Sequence, residues 1–186
     1  MTSIVGRKQE QAALKKIWRS RNPELVAIYG RRRVGKTFLV RELFSSMEGY
    51  FELTGMKDTH LEEQLRNFAV AFSRTFYPGL ALQSPKHWRD AFTLLTNEIK
   101  KTPSKKMLLF FDEVPWLSSN KSGFFQTLDY FWNAEWSRMS NVKVILCGSA
   151  ASWMLEHLIN AKGGLHNRIT CVSVKYSHLE DYFSVL

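Results

Sequence analysis

The residues Gly30-Arg31-Arg32-Arg33-Val34-Gly35-Lys36-Thr37 have the types and the spacing to hold a polyphosphate. Glycines at the two ends of the stretch allow a tight turn in which successive backbone N–H groups face inward at phosphate oxygens. Lys36 supplies a mobile ammonium for β- and γ-phosphates, and the Thr37 hydroxyl is placed to ligate Mg²⁺. Val34 and the following Phe38 count among the expected nucleotide-contacting positions. Downstream, the apolar run Met107-Leu108-Leu109-Phe110-Phe111 closes on Asp112-Glu113. Asp112 suits the Mg²⁺ hydration shell, and Glu113 suits orienting and polarising an attacking water. A strand ending in surface carboxylates is the competing reading of that pair, and a basic turn is the competing reading of the loop. Ser149 ends a third apolar run. It can hydrogen-bond a γ-phosphate or the nucleophilic water, or it can cap the next helix, and both can hold.

These groups need particular elements to position them. Leu25-Val26-Ala27-Ile28-Tyr29 reads as a strand entering the loop, and Thr37 to Ser46 as the helix leaving it. That is the strand, glycine-bounded loop and helix context of a phosphate-binding P-loop. The helix start adds its positive dipole end to the same place. Gln9 to Ser20 reads as an amphipathic helix with Ala12, Ala13, Ile17 and Leu14 inward, broken by Asn22-Pro23. Tyr50–Thr54 reads as a strand, Leu61 to Phe76 and Trp88 to Ile99 as helices, and Phe124 to Met139 as an aromatic-rich helix. Val142–Cys147 is a buried strand, Ala151 to Asn160 a helix, Gly163-Gly164 a loop, and Arg168 to Val174 a last strand. Strands alternating with helices predict an α/β three-layer sandwich around a parallel sheet. Both acidic residues must then emerge at the carboxyl ends of the strands, where such sheets form their ligand crevice.

The chain has 186 residues, 45% hydrophobic and 23% charged, which suits a single folded domain over 1–186 and argues against disorder. No apolar run approaches the ~20 residues needed to cross a bilayer, so no membrane partner is expected. Cys147 and Cys171 are isolated, without metal spacing, and the N-terminus lacks a secretory pattern; the expected setting is cytoplasmic. The net charge of +9 favours polyanionic partners, though Arg31, Arg32, Arg33 and Lys36 account for part of it. Arg31 to Arg33 are more basic than phosphate cradling needs and suit an acidic partner or the loop exterior. For the aromatic stretch from Trp116 to Trp136, packing against the sheet is favoured over stacking on nucleic-acid bases.

Together IVGRKQEQAAL, GRRRVGKT, FFDEVPWL, ILCGSAASWM and GGLHNRIT resemble the prokaryotic AAA-type ATPases of the archaeal-ATPase group, relatives of the origin-recognition and signal-transducing P-loop ATPases. The resemblance spans nearly the whole chain. It implies an additional-strand, catalytic-glutamate P-loop fold, with the strand before Ser149 lying between the P-loop strand and the Asp112-Glu113 strand. It implies that Val5-Gly6-Arg7 packs near the nucleotide base, that Ser149 takes the sensor position, and that Arg168 faces a phosphate of its own or a neighbouring subunit. Relatives usually carry a Pro-Phe pair where this chain has Tyr176-Ser177, and usually continue into a helical lid and winged helix beyond the position of Leu186. The expectation is therefore an ATPase core truncated at its C-terminal end, lid and winged helix absent, using ATP and Mg²⁺. Any DNA or protein partner would be met through the region that follows, and oligomers are compatible with Arg168. The alternatives are a nucleotide switch with negligible turnover and a DNA-associated module with a secondary ATP site.

Overall fold

The computed structural model describes residues 4, 6–118, 122–159 and 168–174. Five strands, β1 (Glu24–Tyr29), β2 (Tyr50–Thr54), β3 (Met107–Asp112), β4 (Val142–Gly148) and β5 (Ile169–Ser173), pair in parallel in the order β2-β3-β4-β1-β5. β4 thus lies between β1 and β3, as the resemblance implied. Every residue of β3 and β4 is buried, which is why both read as mostly apolar runs, Asp112 and Lys143 being the charged exceptions.

Alternation along the strands feeds two cores. Val26, Ile28, Phe110, Ile145 and Cys147 point to one face, where α1 (Lys8–Arg19) and α2 (Lys36–Phe44) add Leu14, Ile17, Leu39, Val40 and Phe44. Leu25, Ala27, Phe51, Leu109, Phe111 and Val144 point to the other, covered by α3 (Leu61–Phe76), α4 (Trp88–Lys101) and α6 (Phe124–Ala134). The result is the three-layer sandwich expected from the sequence.

The structure corrects local details. Ala12 is exposed, because Leu14 and Ile17 set the buried stripe of α1 and Ala12 falls outside it. A four-residue helix unmarked in the sequence, α5 (Val114–Leu117), carries Pro115 in its first turn. The helix expected over 124–139 stops at Ala134. Glu135 leaves helical geometry, and a 3₁₀ turn at Trp136–Arg138 follows. That turn buries Trp136 fully and lets its indole N–H donate to Thr96 Oγ1 at 2.9 Å. After α7 (Ala151–Met154) the backbone widens into π geometry over Leu155–Ile159. Trp132, Trp136, Phe124 and Phe131 are all core residues, so packing is what most of the aromatic stretch does; Tyr130 stays exposed. Val5, Gly163-Gly164, Leu165 to Asn167, Tyr176-Ser177 and Glu180-Asp181 lie outside the described residues.

Candidate functional site

Three loops meet at the carboxyl edge of the sheet. Since β1, β4 and β3 are neighbours, the turn after Tyr29, the pair at Asp112-Glu113 and the residue after Gly148 are brought together. They surround a cleft of about 870 Å³.

The loop is shaped by two special glycines. Gly30 has φ +155°, and a Cβ there would overlap the carbonyl oxygen of Val174. Gly35 has φ +79° and starts α2 with no side-chain cap, which leaves the first N–H groups of that helix uncapped by side chains. Arg33, between them, also takes left-handed φ (+62°). Lys36 is buried, and its ammonium donates to the carbonyls of Gly30 (2.9 Å) and Arg31 (2.8 Å). The chain's own carbonyls thus hold the lysine at the mouth of the loop.

Beside it, the Thr37 hydroxyl donates to Asp112 Oδ2 at 2.8 Å, across 75 positions of sequence. Asp112 Oδ1 accepts from the backbone N–H of Glu113 at 3.0 Å, which fixes the carboxylate plane. Beneath it lies Cys147, whose thiol is pushed well above its ordinary pKa by burial and then by the Asp112 charge. It therefore stays a neutral thiol. Glu113 itself adopts φ +48°, a left-handed conformation that costs a non-glycine residue of order 1 kcal/mol or more. Its Oε2 accepts from the Ser149 hydroxyl at 2.9 Å and the Ser149 N–H at 3.3 Å. Glu113 and Ser149 both line the cleft.

Of the remaining expected residues, Arg32, Arg33 and Phe38 line the same cleft, Phe38 being half exposed. The Arg32 guanidinium sits 5.5 Å from the Trp116 ring centroid. Val34 is buried, and its carbonyl accepts from the Arg7 guanidinium, so the N-terminal element does reach the P-loop. Arg7 Nη1 is buried with no hydrogen-bond partner among the described residues. Arg31 contributes its carbonyl to Lys36 while its side chain is exposed. Arg168 is not brought to the cleft. Register pairs Leu25 with Ile169, so Arg168 sits exposed beside the amino end of β1, a full strand length from the loop.

The sequence reading missed Arg41. It lies one helical turn beyond Thr37, lines the cleft, and donates through Nε to Glu52 Oε1 at 2.9 Å. Tyr50 donates to the other oxygen of Glu52 at 2.6 Å. The Glu52 hydrogen bond holds the Arg41 pKa above its ordinary value, and burial pushes the Tyr50 phenol up, so both remain donors. The available signal was the i, i+4 spacing from Thr37, together with a glutamate inside an otherwise apolar strand.

A parallel sheet of this order with a glycine loop, lysine, threonine and acidic pair at one edge defines an ATP-binding P-loop ATPase domain of the AAA+ type. The family described as an ATPase domain predominantly from Archaea matches residues 4–181, and this chain belongs to it. A Methanocaldococcus jannaschii protein described as uncharacterized is 28% identical over 97% of this chain and 38% of its own length. An uncharacterized ATP-binding protein of the same organism is 40% identical over 43 residues, 23% of this chain and 73% of its own. Among solved structures, the Walker-type ATPase PABY2304 of Pyrococcus abyssi superposes with TM-score 0.65 at 22% identity, over 92% of this chain and 54% of its own. The Aeropyrum pernix ORC2 protein, solved in ADPNP–ADP complexes, gives 0.66 at 17% identity over 100% and 51%. The chain therefore spans about half the length of these solved structures and less of the longer M. jannaschii relative. Among the described residues, no helix is long and apolar enough to cross a membrane.

Proposed function

We propose that this domain hydrolyses ATP with Mg²⁺ and that nucleotide state is coupled to a conformational change in a larger assembly. The observation that carries the reading is the 2.8 Å contact of Thr37 with Asp112 in the cleft that also holds Lys36 and Glu113. The loop N–H groups and Lys36 bind the phosphates. Phe38, on the cleft wall, can meet the rest of the nucleotide, and Arg7 braces the loop through the Val34 carbonyl. Thr37 and Asp112 offer paired hard oxygens suited to Mg²⁺, which ordinarily takes its other ligands from phosphates and water. Once bound there, Mg²⁺ would neutralise charge on the β- and γ-phosphates.

Glu113 then orients a water for in-line attack and accepts its proton, with Ser149 holding the carboxylate in place. Arg168, exposed at the far end of β5, suits a neighbouring subunit's phosphate rather than its own. A structural relative from Drosophila, at 15% identity and TM-score 0.62, is an origin-recognition complex bound to DNA. A DNA or protein partner reached through a C-terminal region remains part of the proposal.

The second reading is a switch with negligible turnover. It is favoured by both donors of Ser149 engaging one oxygen of Glu113. Steady-state ATP turnover separates the two. Wild-type turnover should fall by about 10²–10³-fold in Glu113→Gln while ATP affinity holds. Unchanged hydrolysis in that variant removes Glu113 from its role, and negligible wild-type hydrolysis leaves the switch.

A further inference from the structure

We infer that Arg41 is a γ-phosphate-contacting residue, docked on Glu52, that lets the site distinguish a nucleoside triphosphate from a diphosphate. This deepens the ATP-binding reading and rests on it. Helical spacing and the shared cleft wall put Arg41 at the terminal-phosphate end of the cleft. It follows Thr37 by four residues, so both side chains rise from one face of α2, separated by about 6 Å along the axis. The Arg41 side chain is long enough to cover that rise. Thr37 marks the phosphate end because it is bonded to Asp112, and Arg41 lines the same cleft wall as Thr37, Glu113 and Ser149. Arg7 is engaged elsewhere, on the Val34 carbonyl, and does not line the cleft wall that Arg41 shares.

Arg41 is also free to move a short way. Its Nε and Nη2 are committed to one oxygen of Glu52, yet the side chain is 52% exposed, whereas Glu52 is 12% exposed and pinned by Tyr50. Arg41 further borders a second opening of about 580 Å³ at the β2 edge, shared with Tyr50, Glu52 and Arg74. The fixed carboxylate holds the guanidinium plane, and the fork still has an Nη1 edge to present to an anion. Arg32 is differently placed, over Trp116. A diphosphate ends one phosphoryl group short of Arg41, so the extra hydrogen bond is made with the triphosphate alone.

Calorimetric titration with Mg²⁺ plus either ADP or the β,γ-imido analogue of ATP tests this without any turnover. Arg41→Ala should weaken the triphosphate analogue about tenfold while changing ADP by less than about twofold. Arg41→Lys, which keeps the charge but not the fork, should fall between the two. Because Arg41→Ala strands the Glu52 carboxylate, the neutral pair Arg41→Gln/Glu52→Gln provides a variant without that liability, and it should reproduce the lost preference. An equal loss for both nucleotides, or an unchanged ratio in the double variant, overturns the assignment. Absence of ATP turnover in the wild type would sink the hydrolase proposal and leave this ratio standing.

Discussion

Lys36 and Lys143 are both buried, 5% and 0% exposed, and both direct their ammonium groups at backbone carbonyls. They sit at opposite ends of the sheet. Lys36 opens onto a cleft whose other walls include a helix start, Thr37 with Asp112 bonded behind it, and Glu113. Its charge is held where an anion can take over from the carbonyls of Gly30 and Arg31. Lys143 lies at the amino end of β4, opposite Glu24 in register, and donates to the carbonyls of Asn22 and Ser140. Those two residues precede the adjacent strands β1 and β4, so the lysine ties their entrances together. Burial lowers its pKa, the nearby Lys106 lowers it further, and Glu24 opposes them. The same residue type thus serves ligand capture at one end and chain stitching at the other. What decides is whether the carbonyl partners belong to a turn that can release it or to segments fixed by strand pairing.

Removing each lysine should separate those roles. Lys36→Ala should weaken ATP binding by about 100-fold, since charge-assisted contacts to phosphate are lost, while water entering the cleft replaces the ammonium at the Gly30 and Arg31 carbonyls and keeps the unfolding midpoint near wild type. Full-affinity binding by calorimetry would contradict the P-loop assignment. Lys143→Met should leave ATP affinity unchanged and destabilise the fold by about 1–3 kcal/mol in urea titrations, because two carbonyls lose their donor.

The pH dependence sharpens the contrast. A lysine whose folded pKa lies below its unfolded value binds fewer protons when folded, so wild-type stability should rise with pH as the unfolded value near 10.5 is approached. Lys143→Met should lack that rise, and parallel pH profiles would refute the burial account. The smallest effect is expected for Arg168→Ala, also at the amino end of the sheet. ATP affinity of dilute protein should change by less than about twofold, with any loss of turnover appearing only as concentration drives self-association. A tenfold loss of affinity at low concentration would contradict the strand register.

The site was legible wherever its residues are close in sequence or end a strongly apolar run. Gly30 to Thr37 announces itself through spacing, and Asp112-Glu113 through its position after Met107–Phe111. The place of β4 between β1 and β3 followed from the resemblance rather than from periodicity, while the flanking positions of β2 and β5 came from the structure. Illegible were features that depend on which distant segments meet. Arg41, Glu52 and Tyr50 form one network only because Tyr50 and Glu52 of β2 face the side of the sheet that α2 covers. Lys143 hid inside an apolar run, where a buried lysine is the least expected residue. The end of α6 at Ala134 was set by the need of Trp136 for Thr96, forty residues away. Arg168 was placed by motif order, whereas strand direction sends it to the other end of the sheet.

The crowding at Gly30 has a mechanical consequence. The Tyr29 carbonyl accepts from the N–H of Val174 at 2.8 Å, and the next α-carbon leaves no room for a methyl group against the Val174 oxygen. β5 is the outermost strand on that side of the described sheet, held along one flank only, which makes it the easiest to shift. Any force drawing β5 outward would act on the Tyr29–Gly30 peptide, immediately before the Gly30 carbonyl that accepts from Lys36. Traction on this border strand is therefore a route by which whatever follows in the chain could loosen or tighten the grip on nucleotide.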